Sequence, residues 1–393
     1  IQTNRIYIMP IRNVLHLSHT DINYDSRILK EMIALSETGQ YVLHGLGVAK
    51  DEGNVASVQS KSLQIDSIHL KSRGFKSLPV FMRHALSLIE LTIKMSIKAI
   101  KIRPNVIHVH DTLVLHIGVI LKLIISAKLI YDAHELESDR NGLTRILSKV
   151  IFIMEKILWR FVDHLIVVSP SIQKWYKDNI GAKPSEVILN SPVFNVTEKQ
   201  TCRFGKNYLR QKYNIAETKK IFIYVGIFGK GRGIENIIDV FSDIQESHLV
   251  LIGYGELTEW IKKQVNTHVN IHLHPAVPHD DVVDVTRSAD VGLCMIGNVS
   301  LSDYYCLPNK LFEYCFAGVP VIASDFPDIM NVVTKFKLGL CCGQSKESIK
   351  NAVELFINNK VDNQIHAEKL TELSWVAQKV KLLNVYECVS SLQ

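Results

Sequence analysis

Short β-branched runs alternate with helical stretches along nearly the whole chain, and this alternation narrows the fold more than any other feature. In the first half the runs lie at 14–18, 41–43, 106–110, 128–131 and 165–168. In the second half they lie at 221–225, 248–252, 271–273, 291–293 and 319–323. Most are continuously apolar, the pattern of parallel strands covered by helices on both faces. The helical stretches between them include 25–36, which ends near Gly39. A chain of 393 residues exceeds what one hydrophobic core serves, so two α/β domains are expected. Asn190-Ser191-Pro192 reads as the linker, giving domains at 1–190 and 191–370. The segment 371–393 reads as a final helix.

Two such domains suggest a dinucleotide enzyme. That fingerprint needs G-x-G-x-x-G straight after the first strand. Here the loop is Ser18-His19-Thr20-Asp21-Ile22-Asn23-Tyr24-Asp25, without a glycine. The hydride-transfer reading is set aside.

Charge is uneven. Residues 1–190 hold 24 Lys and Arg against 17 Asp and Glu, and within 70–103 eight bases meet a single acid, Glu90. Apolar residues interleave with these bases, as on a helix lying on an anionic membrane surface. A helix packed on a sheet with solvated lysines reads equally well. Without a stacking motif or a recognisable binding module, nucleic acid is not expected. The longest apolar run, 113–131, is broken by His116, Lys122 and Lys128, so it predicts a buried helix feeding a strand, not a bilayer span. The N-terminal dozen residues lack a signal-peptide core. All seven cysteines lie in the C-terminal half, an odd number without a CxxC pair. They predict neither a disulfide framework nor a zinc site, and they suit a reducing cytoplasm.

Chemistry concentrates at predicted strand ends, where α/β proteins bind ligands. Residues 303–318 read DYYCLPNKLFEYCFAG. Pro308 suits a helix start, and the amides after it, with Lys310, form an anion site. Asn309 and Glu313 share a helix face. Phosphate at the helix end and ribose hydroxyls on Glu313 would suit a nucleotide sugar. The turn Gly226-Ile227-Phe228-Gly229-Lys230-Gly231-Arg232-Gly233 follows a strand. Its glycines let a ligand approach the backbone, and Lys230 and Arg232 can neutralise two phosphate charges. HVHD at 108–111 and YDAHE at 131–135 close two strands of the first half.

Together these segments resemble glycosyltransferase family 4, the retaining group 1 enzymes with the GT-B fold. That resemblance covers most of the chain. It implies two Rossmann-like domains with parallel sheets facing a central cleft, and a C-terminal helix crossing back to the N-terminal domain. Glu313 matches the second Glu of the family signature, while Tyr305 stands where the first Glu usually lies. The resemblance implies donor-binding roles for Gly226, Gly229, Gly253, Gly255, Val277, Pro308, Asn309, Lys310 and Glu313. It implies catalytic roles for Lys230 and Arg232 on the diphosphate, and for His134 near the sugar. Asp25, Arg27 and His110 fall on the acceptor side. The implied reaction is metal-free, retaining transfer from a nucleoside-diphosphate sugar to a saccharide or polyprenyl-linked acceptor in cell-surface polysaccharide synthesis. A cytoplasmic enzyme, with a peripheral place on the inner face of the membrane, is the expectation. A sugar-nucleotide epimerase of similar fold and a non-catalytic nucleotide-sugar-binding scaffold are the alternatives.

Overall fold

The computed structural model describes residues 12–50, 60, 62–193, 203–361, 365 and 367–391. They divide into two compact units. The first holds the described residues up to Ser138, Gly142–Ile188 and the chain from Lys379 onward. The second holds Asp139–Asn141 and Leu189–Gln378, so the division falls two residues before the boundary drawn from sequence.

The first unit is a seven-stranded parallel sheet. Its strands are β1 (Arg12–Leu17), β2 (Tyr41–Val48), β3 (Leu63–Ile68), β4 (Val106–His110), β5 (Lys128–Ala133), β6 (His164–Val167) and β7 (Ser185–Val187), in the order β3-β2-β1-β4-β5-β6-β7. The direction of winding reverses between β1 and β4, which makes the carboxyl ends of those strands the natural place for a ligand. The helix Ser26–Ser36 starts because the Asp25 carboxylate accepts from the amides of Arg27 and Ile28. Its Ile28, Met32 and Leu35 recur at helical spacing and are fully buried.

The second unit is a six-stranded parallel sheet of β8 (Lys220–Ile227), β9 (Ser247–Tyr254), β10 (Ile271–His274), β11 (Val291–Cys294), β12 (Val321–Ser324) and β13 (Gly339–Cys342), ordered β10-β9-β8-β11-β12-β13. Winding reverses between β8 and β11. The core on one face gathers Phe222, Tyr224, Phe241 and Leu251. Two glycines are required by close approach. A Cβ on Gly253 (φ +151°) would stand 1.9 Å from the Gly226 carbonyl oxygen, and one on Gly292 would stand 2.4 Å from the Tyr314 ring.

Several expectations need correcting. Strands β3, β7 and β13 were not anticipated. The short β7 and β13 are only half-buried, and β13 reads Gly-Leu-Cys-Cys, a weak strand signal. The apolar run at 113–131 does give the helix Leu115–Ile125 and strand β5, but Ile120, Leu123 and Ile124 are exposed, so burial is one-sided. The basic stretch divides into a 3-10 turn, Lys71–Gly74, and the helix Val80–Ile102, which holds Arg83, Lys94, Lys98 and Lys101. Two of its lysines are engaged locally: Lys94 donates to Glu90 and to the His69 carbonyl, and Lys98 pairs with Asp66 at 3.2 Å. Among the described residues, no helix is long and apolar enough to cross a membrane.

Candidate active site

The first unit builds a polar core beneath the ends of β1, β4 and β5. Parallel register sets His16 of β1 beside His108 of β4, and His110 beside Asp132 of β5. Their side chains share one face with the helix Ser26–Ser36, which contributes Arg27 and Glu31. Arg27 forks onto Asp132, Nε to Oδ2 at 3.1 Å and Nη2 to Oδ1 at 3.0 Å, while Nη1 donates to the Ile188 carbonyl. The Glu31 carboxylate lies 3.2 Å from Arg27 Nε, yet neither oxygen has hydrogen-bond geometry with a donor. Burial, with Asp132 nearby, pushes Glu31 up to about 8, so it holds its proton at neutral pH.

A chain of imidazoles runs through this core. His16 Nδ1 meets His110 Nε2 at 2.9 Å, and His110 Nδ1 meets His134 Nε2 at 3.1 Å. The Tyr386 hydroxyl, from the helix Trp375–Ser391, meets His108 Nδ1 at 2.8 Å and His16 Nε2 at 3.3 Å. Burial and neighbouring imidazoles lower His16 and bring His108 down to about 3, which leaves these rings neutral. His134 differs. Burial works against its charge, but Asp111 at 3.6 Å and Asp132 at 3.2 Å raise it to about 10. It is therefore an imidazolium at neutral pH.

Asp111 holds that charge from a strained position. Its φ of +66° and ψ of +161° are unusual for a residue with a side chain. Its other oxygen lies 3.7 Å from His19. His19 and Asp25 line a cavity of about 420 Å³ with Thr20, Tyr24, Lys50 and Arg73.

The acceptor-side residues are thus divided. Asp25 reaches the cavity wall while capping its helix. Arg27 and His110 are both buried, at 3% and 0% exposure, with their polar atoms engaged inside the core. His134, which meets His110, has a side chain 17% exposed.

In the second unit, donor-side residues gather at the reversal between β8 and β11. Gly226, Gly231 and Gly233 all adopt positive φ. Lys310 lies beside Gly226, its Nζ 3.8 Å from the Tyr224 ring centroid, a cation–π contact that fixes the ammonium. Arg232 Nη1 stands 3.7 Å from Asp303, and Asp303 accepts from Ser300 Oγ at 2.7 Å. An aspartate, two residues before Tyr305, thus meets the Gly-rich turn in this chain. Lys230 is exposed, and its amide donates to Glu256 at 2.8 Å. Gly229 is half-buried, and the Gly255 amide donates to Thr258. Val277 is half-buried in the loop after β10. Pro308 caps the helix Asn309–Phe316 from just outside instead of occupying its first turn. Glu313 is buried, with Oε1 3.9 Å from His279. Burial pushes the Cys294 thiol up to about 12, so it is no nucleophile.

Sequence reasoning missed His16, Glu31 and Tyr386. Glu31 could have been found four residues beyond Arg27, on the same helix face. Tyr386 left no local signal. Either His16, Glu31, His108 and His110 or His110, Asp132 and His134 could hold a metal ion, each group presenting ligand atoms within 4.8 Å of one another. As built, these atoms face one another, Tyr386 and the Arg27 guanidinium.

Two family models match. One, described as glycosyl transferases group 1, matches residues 206–373, and the other, glycosyltransferase family 4, matches 57–191. The glycogen synthase of Mycobacterium tuberculosis is 23% identical over 61% of this chain and 56% of its own. The chitobiosyldiphosphodolichol beta-mannosyltransferase of Candida albicans is 24% identical over 66% and 61%. The chain thus spans little more than half the length of the curated relatives it matches. Among solved structures, the sucrose-phosphate synthase of Thermosynechococcus elongatus superposes with a TM-score of 0.79 at 17% identity, covering 97% of this chain and 100% of that one. Anabaena HepE in complex with UDP gives 0.72 at 13%, covering 96% and 100%. The two parallel sheets and these superpositions define a GT-B fold, and the chain belongs to the group 1 glycosyl transferases of family 4.

Proposed function

We propose that the protein is a retaining glycosyltransferase. It moves a sugar from a nucleoside-diphosphate donor to a saccharide or polyprenyl-linked saccharide in cell-surface polysaccharide synthesis, on the cytoplasmic side of a membrane. The observation that carries this reading is the Gly-rich turn at the end of β8, where Gly226 lies beside Lys310, Lys310 sits over the Tyr224 ring, and Gly226, Gly231 and Gly233 all adopt positive φ. That backbone admits a diphosphate closely, and the cation meets the charge that grows on it as the glycosidic bond breaks. Arg232, Lys230 and the amides after Pro308 add to this field. Anabaena HepE, solved with UDP and UDP-glucose, supports a nucleotide-sugar donor.

Retention without a covalent intermediate fits the charge state of the first unit. Asp111 and Asp132 are the nearest carboxylates to His134, and both are tied to cations. Neither is available as a nucleophile for a double displacement. His134, as an imidazolium, cannot serve as general base. It orients the acceptor and stabilises negative charge, while the departing phosphate takes the acceptor proton. The Lys and Arg side chains supply the charge, so the step requires no metal.

Thermal-shift titration with UDP, GDP, ADP and CMP tests donor binding, since a ligand for the folded state raises the unfolding temperature with occupancy. Incubation with the matching nucleotide sugar and a saccharide acceptor should then give an α- or β-linkage identical to that of the donor. Conversion of the nucleotide sugar without acceptor would instead identify an epimerase. Binding with no turnover across donors and acceptors would identify a scaffold.

A further inference from the structure

The helix Arg145–Leu158 carries apolar residues on its outer face as well as toward the sheet. Its one buried residue is Glu155, which accepts from the hydroxyls of Thr112, Tyr131 and Tyr176 at 3.1, 2.7 and 2.6 Å. Ile151, Phe152, Met154 and Leu158 are half-buried, but Ile146, Val150, Ile153 and Ile157 face outward, 54–78% exposed, and their spacing makes one continuous stripe. The same holds on its neighbours. Leu123 and Ile124 of Leu115–Ile125 are 64% and 57% exposed, and Ile93 and Ile97 of Val80–Ile102 are each 53% exposed. These three helices are the successive crossovers from β3 to β4, β4 to β5 and β5 to β6. All three connections run the same way along the sheet, so right-handed crossover sets them side by side on one face. Isolated exposed leucines are ordinary, but contiguous stripes on adjacent helices mark an interaction surface.

Charge decides what covers it. Arg145, Lys149 and Lys156 are exposed along the Arg145–Leu158 helix, whose only acid is the buried Glu155. Leu115–Ile125 has no acid. Glu90, the only acid of Val80–Ile102, is held by Lys94 and by the amides of Lys71 and Ser72. A second copy of this chain, docked by a two-fold axis, would set the same bases against themselves. An anionic surface with an apolar interior complements both properties at once.

We propose that the outer face of these three helices seats the protein on an anionic lipid bilayer. The isoleucine stripes enter the headgroup–acyl boundary, and Arg145, Lys149 and Lys156 meet the lipid phosphates. This deepens the proposed use of a polyprenyl-linked acceptor, which is confined to such a surface. It also moves the contact from the lysines of Val80–Ile102, two of which are internally paired, to a broader apolar face.

The test is flotation of the full chain with vesicles of phosphatidylcholine alone or with phosphatidylglycerol, at low and high salt. Wild type should float with the anionic vesicles and much less with the neutral ones. The I153E/I157E double variant should lose about tenfold or more of that partitioning. The K149Q/K156Q variant should bind more weakly and respond less to salt. All these side chains are exposed, and an unchanged unfolding temperature would verify that the variants fold. Absence of wild-type flotation would overturn the proposal, as would equal flotation of wild type and I153E/I157E. A wild-type dimer converted to monomer by I153E/I157E in sedimentation velocity would overturn it in favour of a second copy. Failure to bind any nucleoside diphosphate would count against the proposed transferase and leave the vesicle result standing.

Discussion

Arg27 and Asp132 join through two parallel hydrogen bonds across 105 residues of sequence, with both side chains almost wholly withdrawn from water. Asp132 also lies close to His108, His110 and His134. Breaking the Arg27–Asp132 pair would leave a guanidinium buried without its main partner, which typically costs about 3–5 kcal/mol. Asp132→Asn should therefore destabilise the chain by roughly that amount in denaturant unfolding. It should also lower the His134 pKa, observable by NMR titration of the imidazole.

Stability should depend on pH in a defined direction. His134 titrates near 10 in the folded protein against an ordinary 6.5, so its contribution is complete below 6.5 and disappears as pH rises toward 10. Glu31, near 8 against 4.5, also favours the folded state less as pH rises from 4.5 to 8. The lowered His16, His108 and His110 act oppositely below 6.5. The unfolding temperature should peak near neutrality and fall toward pH 10. His134→Gln should flatten the alkaline limb, whose slope from this one group is at most about 1.4 kcal/mol per pH unit. An unchanged alkaline limb in His134→Gln would show that His134 does not carry a raised pKa.

Tyr386→Phe should remove the hydroxyl shared by His108 and His16. Leaving buried imidazole nitrogens without a partner costs about 1–3 kcal/mol. Nucleotide affinity should stay unchanged, because the substitution lies in the first unit. Calorimetric unfolding and donor titration of the same preparation separate the two effects.

Glu313→Gln should weaken donor binding by about 1.5–3 kcal/mol if its carboxylate accepts from ribose hydroxyls. Lys310→Ala should reduce turnover more than Lys230→Ala, because the Lys310 ammonium is held at the turn while Lys230 is exposed. Isothermal titration and single-turnover rates test the two claims. Equal affinity in folded Glu313→Gln would remove the ribose contact.

Gly253→Ala should prevent the ends of β8 and β9 from closing together. The added methyl would lie 1.9 Å from a backbone oxygen, at a φ that L-residues rarely adopt. Loss of soluble protein, or destabilisation of about 3 kcal/mol or more, is expected on those grounds.

The parallel sheets were legible because β-branched runs such as Val106–His110 and Lys220–Ile227 report burial on both faces. The Gly-rich turn and the Pro308–Glu313 helix start were legible for a similar reason, since special backbone needs special residues. Other features arise only when distant segments meet. The asparagine-to-proline punctuation at 190–192 marks a boundary, but nothing local says that Arg27 will find Asp132 or that Tyr386 will find two histidines. Lys98 reads as surface charge because its partner Asp66 lies 32 residues away, and the His69 carbonyl that Lys94 reaches besides the nearby Glu90 lies 25 residues away. Asp25 is the opposite case. Its capping role follows from adjacent residues and was available from sequence.

The helix carrying Tyr386 has a consequence for how the protein is made. Strands β1 to β6 emerge from the ribosome about 200 residues before Tyr386 does. Tyr386 follows His108 by 278 residues and His16 by 370, so at ordinary synthesis rates of roughly 5–20 residues per second these rings wait from about 14 s to about 74 s for the hydroxyl that joins them. During that interval the nascent first unit has an uncovered polar seam and must either stay loose or be sheltered. A fragment ending near Ile188 would lack the Tyr386 hydroxyl that meets His108 and His16. The first unit is therefore complete only with its C-terminal helix, from Lys379 onward.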